Sequence, residues 1–223
     1  MKANISEIFE SIQGEGIYMG QRHVFVRFFG CNLQCRYCDT KLIRYFEYEP
    51  GMLLDEIKRY QRVSSVVSYT GGEPLLQKDF LKEIMPLALK NNFTNYLETN
   101  GTLADALADV IDYVNVIAMD VKLPSSTGLQ PFWDQHKQFL KIAQKKEVFL
   151  KAIVCETTVD ADIRELICMI KDSNFAATLV LQPDSNANNN NLQAKIEKYM
   201  LWCTGEGIKT RIIAQMHKLL GVR

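Results

Sequence analysis

Neither sign of charge dominates this sequence: lysine plus arginine and aspartate plus glutamate number 26 each. A field that would draw in nucleic acid or an anionic membrane is therefore missing. No apolar run is long enough to span a bilayer, and the opening "MKANISEIFESIQGEG" lacks the hydrophobic stretch of a secretion signal. The expected localisation is cytoplasmic, in a reducing compartment. Cysteine is scarce as well, with six residues, and three of them (Cys155, Cys168 and Cys203) stand far from the others. A disulfide framework is disfavoured on two counts: it persists in oxidising compartments, and three clustered thiols cannot all pair with one another. No internal repeat or long linker divides the chain, whose 223 residues suit one domain around one substantial core.

What is present is a regular alternation. Extended candidates lie at 23–28, 64–70, 93–99, 114–122, 147–154, 178–182 and 210–214. Helical patterns lie between them at 52–61, 78–92, 103–111, 131–146, 161–172 and 192–205. Several of the extended runs are almost continuously apolar, as expected of parallel strands covered on both faces. Strand then helix, about six times over, predicts an α/β fold that falls short of the eight units of a complete barrel. The expected architecture is a single-domain, open, partial (β/α)6-type barrel. The asparagine-rich stretch 184–191 reads as a polar loop before the last long helix.

The other three cysteines lie within "CNLQCRYCDT", residues 31–40, spaced Cys31-x-x-x-Cys35-x-x-Cys38. This stretch follows the extended run 23–28, at the rim where barrel folds assemble their sites. A structural zinc wants four ligands, so a zinc site here needs a distant one such as His217. A 4Fe–4S cluster also usually takes four thiolates. With three, one iron keeps an open position, which suits catalysis. At the next strand end, "TGGEP" offers glycines for close backbone approach and Glu73 as an acceptor for an ammonium group; alone it is an ordinary strand–helix turn. Asp120 and Lys122 fall on one face by alternation, either as an ion pair or as ligand contacts. Gln182, in "LQPD", sits at another strand tip. Arg27 shares the inward face of its strand with His23 and Phe25. It needs an anionic partner, either a ligand carboxylate or a fixed salt bridge.

Three thiols at this spacing, followed by that chain, resemble the radical S-adenosylmethionine (SAM) superfamily. The resemblance implies a 4Fe–4S cluster on Cys31, Cys35 and Cys38, with SAM chelating the open iron and yielding a 5′-deoxyadenosyl radical on reduction. It also implies SAM contacts at Tyr37, Cys38 and Asp39, at Gly71, Gly72 and Glu73, and at Asp120, Lys122 and Gln182. "QGEG" at 13–16, "RFFGCN", "CDT", "LETNGT" and the terminal "QMHKLLGVR" together resemble the 7-carboxy-7-deazaguanine synthase family over nearly the whole chain. That family converts 6-carboxy-5,6,7,8-tetrahydropterin, with Mg²⁺, into the deazaguanine that leads to queuosine.

Carried over by motif, Ile12, Gln13 and Gly14 bind the pterin with help from Glu15. Arg27 takes its carboxylate, Thr70 lies against it, and Thr40 ligates Mg²⁺. Arg223, through its terminal carboxylate, is a further substrate contact, whereas His217 and Lys218 receive no role. Residues 1–22 and 209–223 are expected to complete the site. The family also implies a homodimer and an electron donor such as flavodoxin or ferredoxin. Two residues depart from the pattern: Asp120-Val121-Lys122 replaces the Ser-Pro-Lys of many members, and the terminal arginine is not a fixed choice. Asp-x-Lys resembles instead the enzymes that activate glycyl-radical proteins, which supply the second reading. A non-catalytic iron–sulfur or zinc carrier is the third.

Overall fold

The computed structural model describes residues 1–40, 42–185, 190–216 and 221. Its strands are β1 (Ala3–Ile12), β2 (Arg22–Phe28), β3 (Phe46–Tyr48), β4 (Val66–Gly71), β5 (Thr94–Thr99), β6 (Val116–Asp120), β7 (Glu147–Val154), β8 (Thr178–Pro183) and β9 (Thr210–Ile212). They form one sheet in the order β3-β1-β2-β4-β5-β6-β7-β8-β9. From β2 through β4 to β9 every pairing is parallel, while β1 runs antiparallel to both β2 and β3. The end strands β3 and β9 do not pair with each other. The sheet is an open, partial barrel, as the strand–helix alternation predicts.

The crossovers carry helices α1 (Pro50–Lys58), α2 (Lys78–Lys90), α3 (Ala104–Val110), α4 (Pro124–Thr127), α5 (Trp133–Ala143), α6 (Asp160–Asp172) and α7 (Asn190–Gly205). Their apolar stripes explain why they pack as they do. In α6, Ile163, Leu166, Ile167 and Ile170 recur at helical spacing and are all buried. They join one core with Val26, Val67, Leu97, Ile117, Leu150 and Leu179 from alternate positions of the strands. Each such fully buried aliphatic side chain stabilises the fold by about 1.5–3 kcal/mol.

The other face of the sheet holds a second, smaller cluster: Tyr96, Val116, Ala118, Phe149 and Val180, covered by Ile17 and Tyr18. These last two sit in the short turn Gly16–Tyr18, which plugs the barrel floor. Gly16 has φ +66°, and a Cβ there would come within 2.5 Å of the Phe149 ring, so only glycine fits. Two residues further along the same strands the inner face turns polar, with Glu98 above Tyr96, Asp120 above Ala118, and Lys151 above Phe149.

Two strands differ from the sequence-based expectation, which had no regular element before residue 23 and none at 46–48. In β1 a register shift between Ile5 and Glu7 breaks the two-residue period. Ile5 and Ile8 therefore pack on the helix side, opposite Phe28 and Val26, while Glu7 and Phe9 lie opposite Arg27 and Phe25. The spacing Ile5, Ile8, Phe9 then imitates a helix. β3 is a three-residue edge strand with no apolar pattern of its own. The one-turn helix α4 was also unanticipated, and Asn190, expected in the polar loop, already belongs to α7.

Candidate active site

The polar inner face opens into a cavity of about 810 Å³ at the C-terminal ends of the parallel strands. The structure brings nearly all the candidate residues into its lining: Ile12, Gln13, Gly14, Glu15, Arg27, Cys31, Cys35, Tyr37, Cys38, Asp39, Thr40, Thr70, Gly71, Gly72, Asp120, Lys122 and Gln182. Glu73 is the exception among described residues. Arg223, His217 and Lys218 lie outside them.

All six cysteines are free thiols, with Cys31 and Cys38 exposed and Cys35 half-buried. Burial pushes the Cys31 and Cys35 thiols up; their neighbouring thiols add to this, while the Lys122 ammonium works against it. Among the described residues no three His, Cys, Asp or Glu side chains already stand closed as a metal cage. The donor set nevertheless fits a cluster: three soft thiols, none in a disulfide, on one loop facing one cavity beside a buried cation.

The glycines of "TGGEP" act against the protein's own backbone. A Cβ on Gly72 would lie 1.9 Å from the Gly30 carbonyl oxygen, and one on Gly71, at φ +109°, 2.5 Å from Phe28 backbone atoms. The amides of Gly72 and Glu73 donate to Phe28 O and Gly30 O, both at 2.9 Å, pinning the turn to the base of the cysteine loop. Glu73 is fully buried, behind the residues that line the cavity. Its oxygens accept from Leu75 N (3.1 Å), Thr99 Oγ1 (2.9 Å) and Asn100 N (2.8 Å). Burial raises its carboxyl to about 7, against the pull of those three donors. The acceptor read from the sequence thus also braces two strand ends.

Asp120 and Lys122 do form an ion pair, at 2.7 Å, and Lys122 Nζ lies 3.4 Å from the Tyr37 hydroxyl. Asp120 Oδ1 and Gln182 Oε1 are buried acceptors with no protein donor among the described residues. Orphaned acceptors on a cavity wall leave places for the N–H and O–H groups of a ligand such as SAM.

Across the cavity a second group gathers. Arg27 Nη1 pairs with Glu7 at 2.9 Å and its guanidinium stacks 5.0 Å over Phe9, so the fixed salt bridge does exist. Gln13 Nε2 and Thr70 Oγ1 both donate to Glu98, each at 2.8 Å. Burial, then the like charge of Glu15, raises the Glu98 carboxyl, while Lys151 lowers it. Glu15 pairs with Lys151 and accepts from Gln215, which also reaches Asp39 at 3.4 Å. Glu98, Lys151 and Gln215 were not singled out from the sequence. For the first two a partial signal existed, since each is a charge two residues beyond an inward aromatic of its strand, Tyr96 or Phe149.

A three-thiol loop at the rim of a partial barrel, facing glycine-pinned backbone and orphaned acceptors, defines a radical SAM protein. The pattern of the radical SAM superfamily matches residues 25–167, and the chain belongs to that superfamily, with a 4Fe–4S cluster and SAM as its cofactors. It is 38% identical to a 7-carboxy-7-deazaguanine synthase of Geobacter sulfurreducens, covering 98% of this chain and 97% of that one. A protein of the same name from Archaeoglobus fulgidus is 34% identical with both chains fully covered. This chain is thus a member of the 7-carboxy-7-deazaguanine synthase family, an enzyme of the queuosine route. Its fold resembles the crystal structure of QueE from Escherichia coli, with TM-score 0.68 and 24% identity, covering 97% of this chain and 95% of that one. Full-length relatives of a single name favour this assignment over a glycyl-radical activating enzyme, to which the triad spacing and Asp-x-Lys also pointed.

Proposed function

We propose that the chain contracts the ring of 6-carboxy-5,6,7,8-tetrahydropterin to 7-carboxy-7-deazaguanine with loss of ammonia, and that it needs Mg²⁺ to do so. The observation carrying this reading is that one cavity has two halves of different chemistry. The thiols, Tyr37, Asp120, Lys122 and Gln182 form one half; Gln13, Glu15, Arg27, Thr70 and Glu98 form the other. The pterin carries a carboxylate at one end and an amino-pyrimidinone edge rich in N–H donors at the other. Arg27 suits the carboxylate, because a guanidinium carries five N–H donors in a planar fork, and Nη1 donates to Glu7 while the side chain lines the cavity. Glu15 and Glu98 suit the donor edge, with Gln13 and Thr70 fixing the Glu98 oxygens in place.

Cys31, Cys35 and Cys38 would hold the cluster and Tyr37, Asp120, Lys122 and Gln182 would contact SAM, which together would supply hydrogen-atom abstraction chemistry at this wall of the cavity. The protein's part is to orient the pterin and to keep water from the reacting carbon, which the apolar floor of Tyr96, Ala118 and Phe149 favours. Thr40 and Asp39 offer hard oxygens at the edge of the thiol loop, the donor type magnesium takes beside substrate oxygens and water. Met216 N donates to Gly14 O at 2.9 Å, which supports residues 1–22 and 209–223 as parts of the site within one domain. A cytoplasmic homodimer reduced by a flavodoxin or ferredoxin completes the reading on family resemblance. No helix among the described residues is long and apolar enough to cross a membrane.

The test is anaerobic incubation of the reconstituted protein with SAM, reductant, Mg²⁺ and the pterin, followed by mass spectrometry. A product lighter than substrate by one ammonia is expected. SAM cleavage without that product, across all Mg²⁺ concentrations, would sink the reading.

A further inference from the structure

Lys151 lies midway along β7 with its side chain only 14% exposed, where an ammonium needs a reason to be. Its neighbours supply the reason. It pairs with Glu15 on one side and lies 3.7 Å from Asp120 Oδ2 on the other. Burial lowers its affinity for a proton, but Glu15, Asp120 and Glu98 outweigh that and hold the group charged. Parallel pairing of β6 with β7 sets Asp120 directly beside Lys151 on the inner face. The two carboxylates it touches belong to opposite halves of the cavity. Asp120 also binds Lys122, whereas Glu15 sits on the segment that includes Gln13, whose own side chain donates to Glu98. The backbone amide of Glu15 donates to Gln13 Oε1 at 3.1 Å, so a displaced Glu15 carries Gln13 with it.

We propose that Lys151 is a positioning residue that ties the substrate half of the cavity to the SAM half, fixing the Gln13–Glu15 segment over the pterin through the Glu15 carboxylate. The proposal rests on the pterin reading above. Without the ammonium, Glu15, Glu98 and Asp120 confront one another in a half-dry site. Carboxylates so placed take up protons or move apart, and the segment loses its charged tie to β7. Lys122 cannot replace it, because Asp120 already holds that group at 2.7 Å.

The experiment compares wild type with Lys151→Met, Lys151→Arg, Glu15→Gln and the double variant Lys151→Met/Glu15→Gln. Dissociation constants for the pterin, with SAM present and no reductant, are measured by calorimetry alongside those for SAM alone, bound iron and turnover. Lys151→Met is expected to weaken pterin binding by about tenfold or more, with iron content kept and SAM affinity altered far less. Lys151→Arg retains the charge and should recover much of the loss. Because Glu15 also faces the pterin's donor edge, Glu15→Gln should weaken binding by itself, and the double variant should lose less than the sum of the two single losses, since part of each is one shared tie. Unchanged pterin binding in Lys151→Met, equal losses for pterin and SAM, or additive losses in the double variant would each overturn the proposal. If Lys151→Met fails to retain iron, the arginine variant decides: tight pterin binding there supports the tie, and wild-type-like binding in Glu15→Gln refutes it. A wild type that neither binds nor converts the pterin overturns both readings. Where wild type does both, a failure among the variants counts against the role of Lys151 alone.

Discussion

Arg27 shows how a single side chain can answer to two partners. Glu7 and Phe9 hold its guanidinium from the β1 side, and the cavity lies on the other. Arg27→Lys keeps the charge but loses the planar fork, so pterin affinity should fall about tenfold or more, with substrate-free SAM cleavage unchanged. A titration of the variant that overlays wild type would return Arg27 to a purely structural role. Thr40 and Asp39 compete for magnesium. Thr40→Ala is expected to move the turnover-versus-Mg²⁺ curve to higher concentration with iron and SAM binding intact. If Asp39→Asn shifts the curve and Thr40→Ala does not, the ligand is Asp39. The thiols were legible because their spacing is a local property of ten residues. Glu98 and Lys151 were legible only as inward charges: their partners, Gln13 and Glu15, come from the N-terminal segment, and sequence does not display the stagger that brings them together.

Among the elements, the turn after β4 and the loop after β5 act as one unit. Asn100 donates its amide to Glu73, while its side chain donates to Asn32, next to Cys31, and accepts from Thr102. His136 Nε2 meets the Asn100 carbonyl at 3.1 Å from α5. Asn100→Ala removes the cross-brace to the thiol loop while keeping the amide bond to Glu73. The fold should lose about 1–2 kcal/mol, and the reconstituted cluster should release iron to a chelator faster than wild type. Equal release rates would show that the loop is held without Asn32. The elements themselves were largely readable, because six strand–helix units repeat one pattern. The miss at β1 has a specific cause: the irregularity at Ser6 exchanges the two faces halfway along, so no single period runs through "ANISEIFESI".

For the whole molecule, buried titratable groups set the response to acid. His23 and His136 are fully buried, and burial lowers each from 6.5 to about 4. A depressed folded value means their contribution is present above pH 6.5 and is lost as pH falls toward 4, at most about 3 kcal/mol each. Glu73 acts in the opposite sense: raised from 4.5 to about 7, it favours the folded state below pH 4.5 and loses that as pH rises through 7. Glu98, whose carboxyl burial also raises, acts in the same sense as Glu73, so the histidines' share is the part of any fall in stability between pH 6.5 and 4.5, in urea unfolding of the cluster-free protein, that their replacement removes. The fall should be shallower in His23→Gln or His136→Gln and steeper in Glu73→Gln. Parallel profiles for all four proteins would mean that other groups govern it.

The unpaired margins of the sheet bear on how such a molecule changes over generations. The thiols, the pinned turn after β4 and the Asp120–Lys122 pair all hang from strands paired along both edges, where an insertion would disturb neighbours on both sides. Gln13, Glu15 and Gln215 come instead from segments beside the outermost strands, joined across the gap by a few hydrogen bonds. Residues can be added or exchanged there without shifting any parallel pairing. A lineage can therefore keep its radical-generating wall while remodelling the margin, and the open seam is where descendants with new substrates would first diverge.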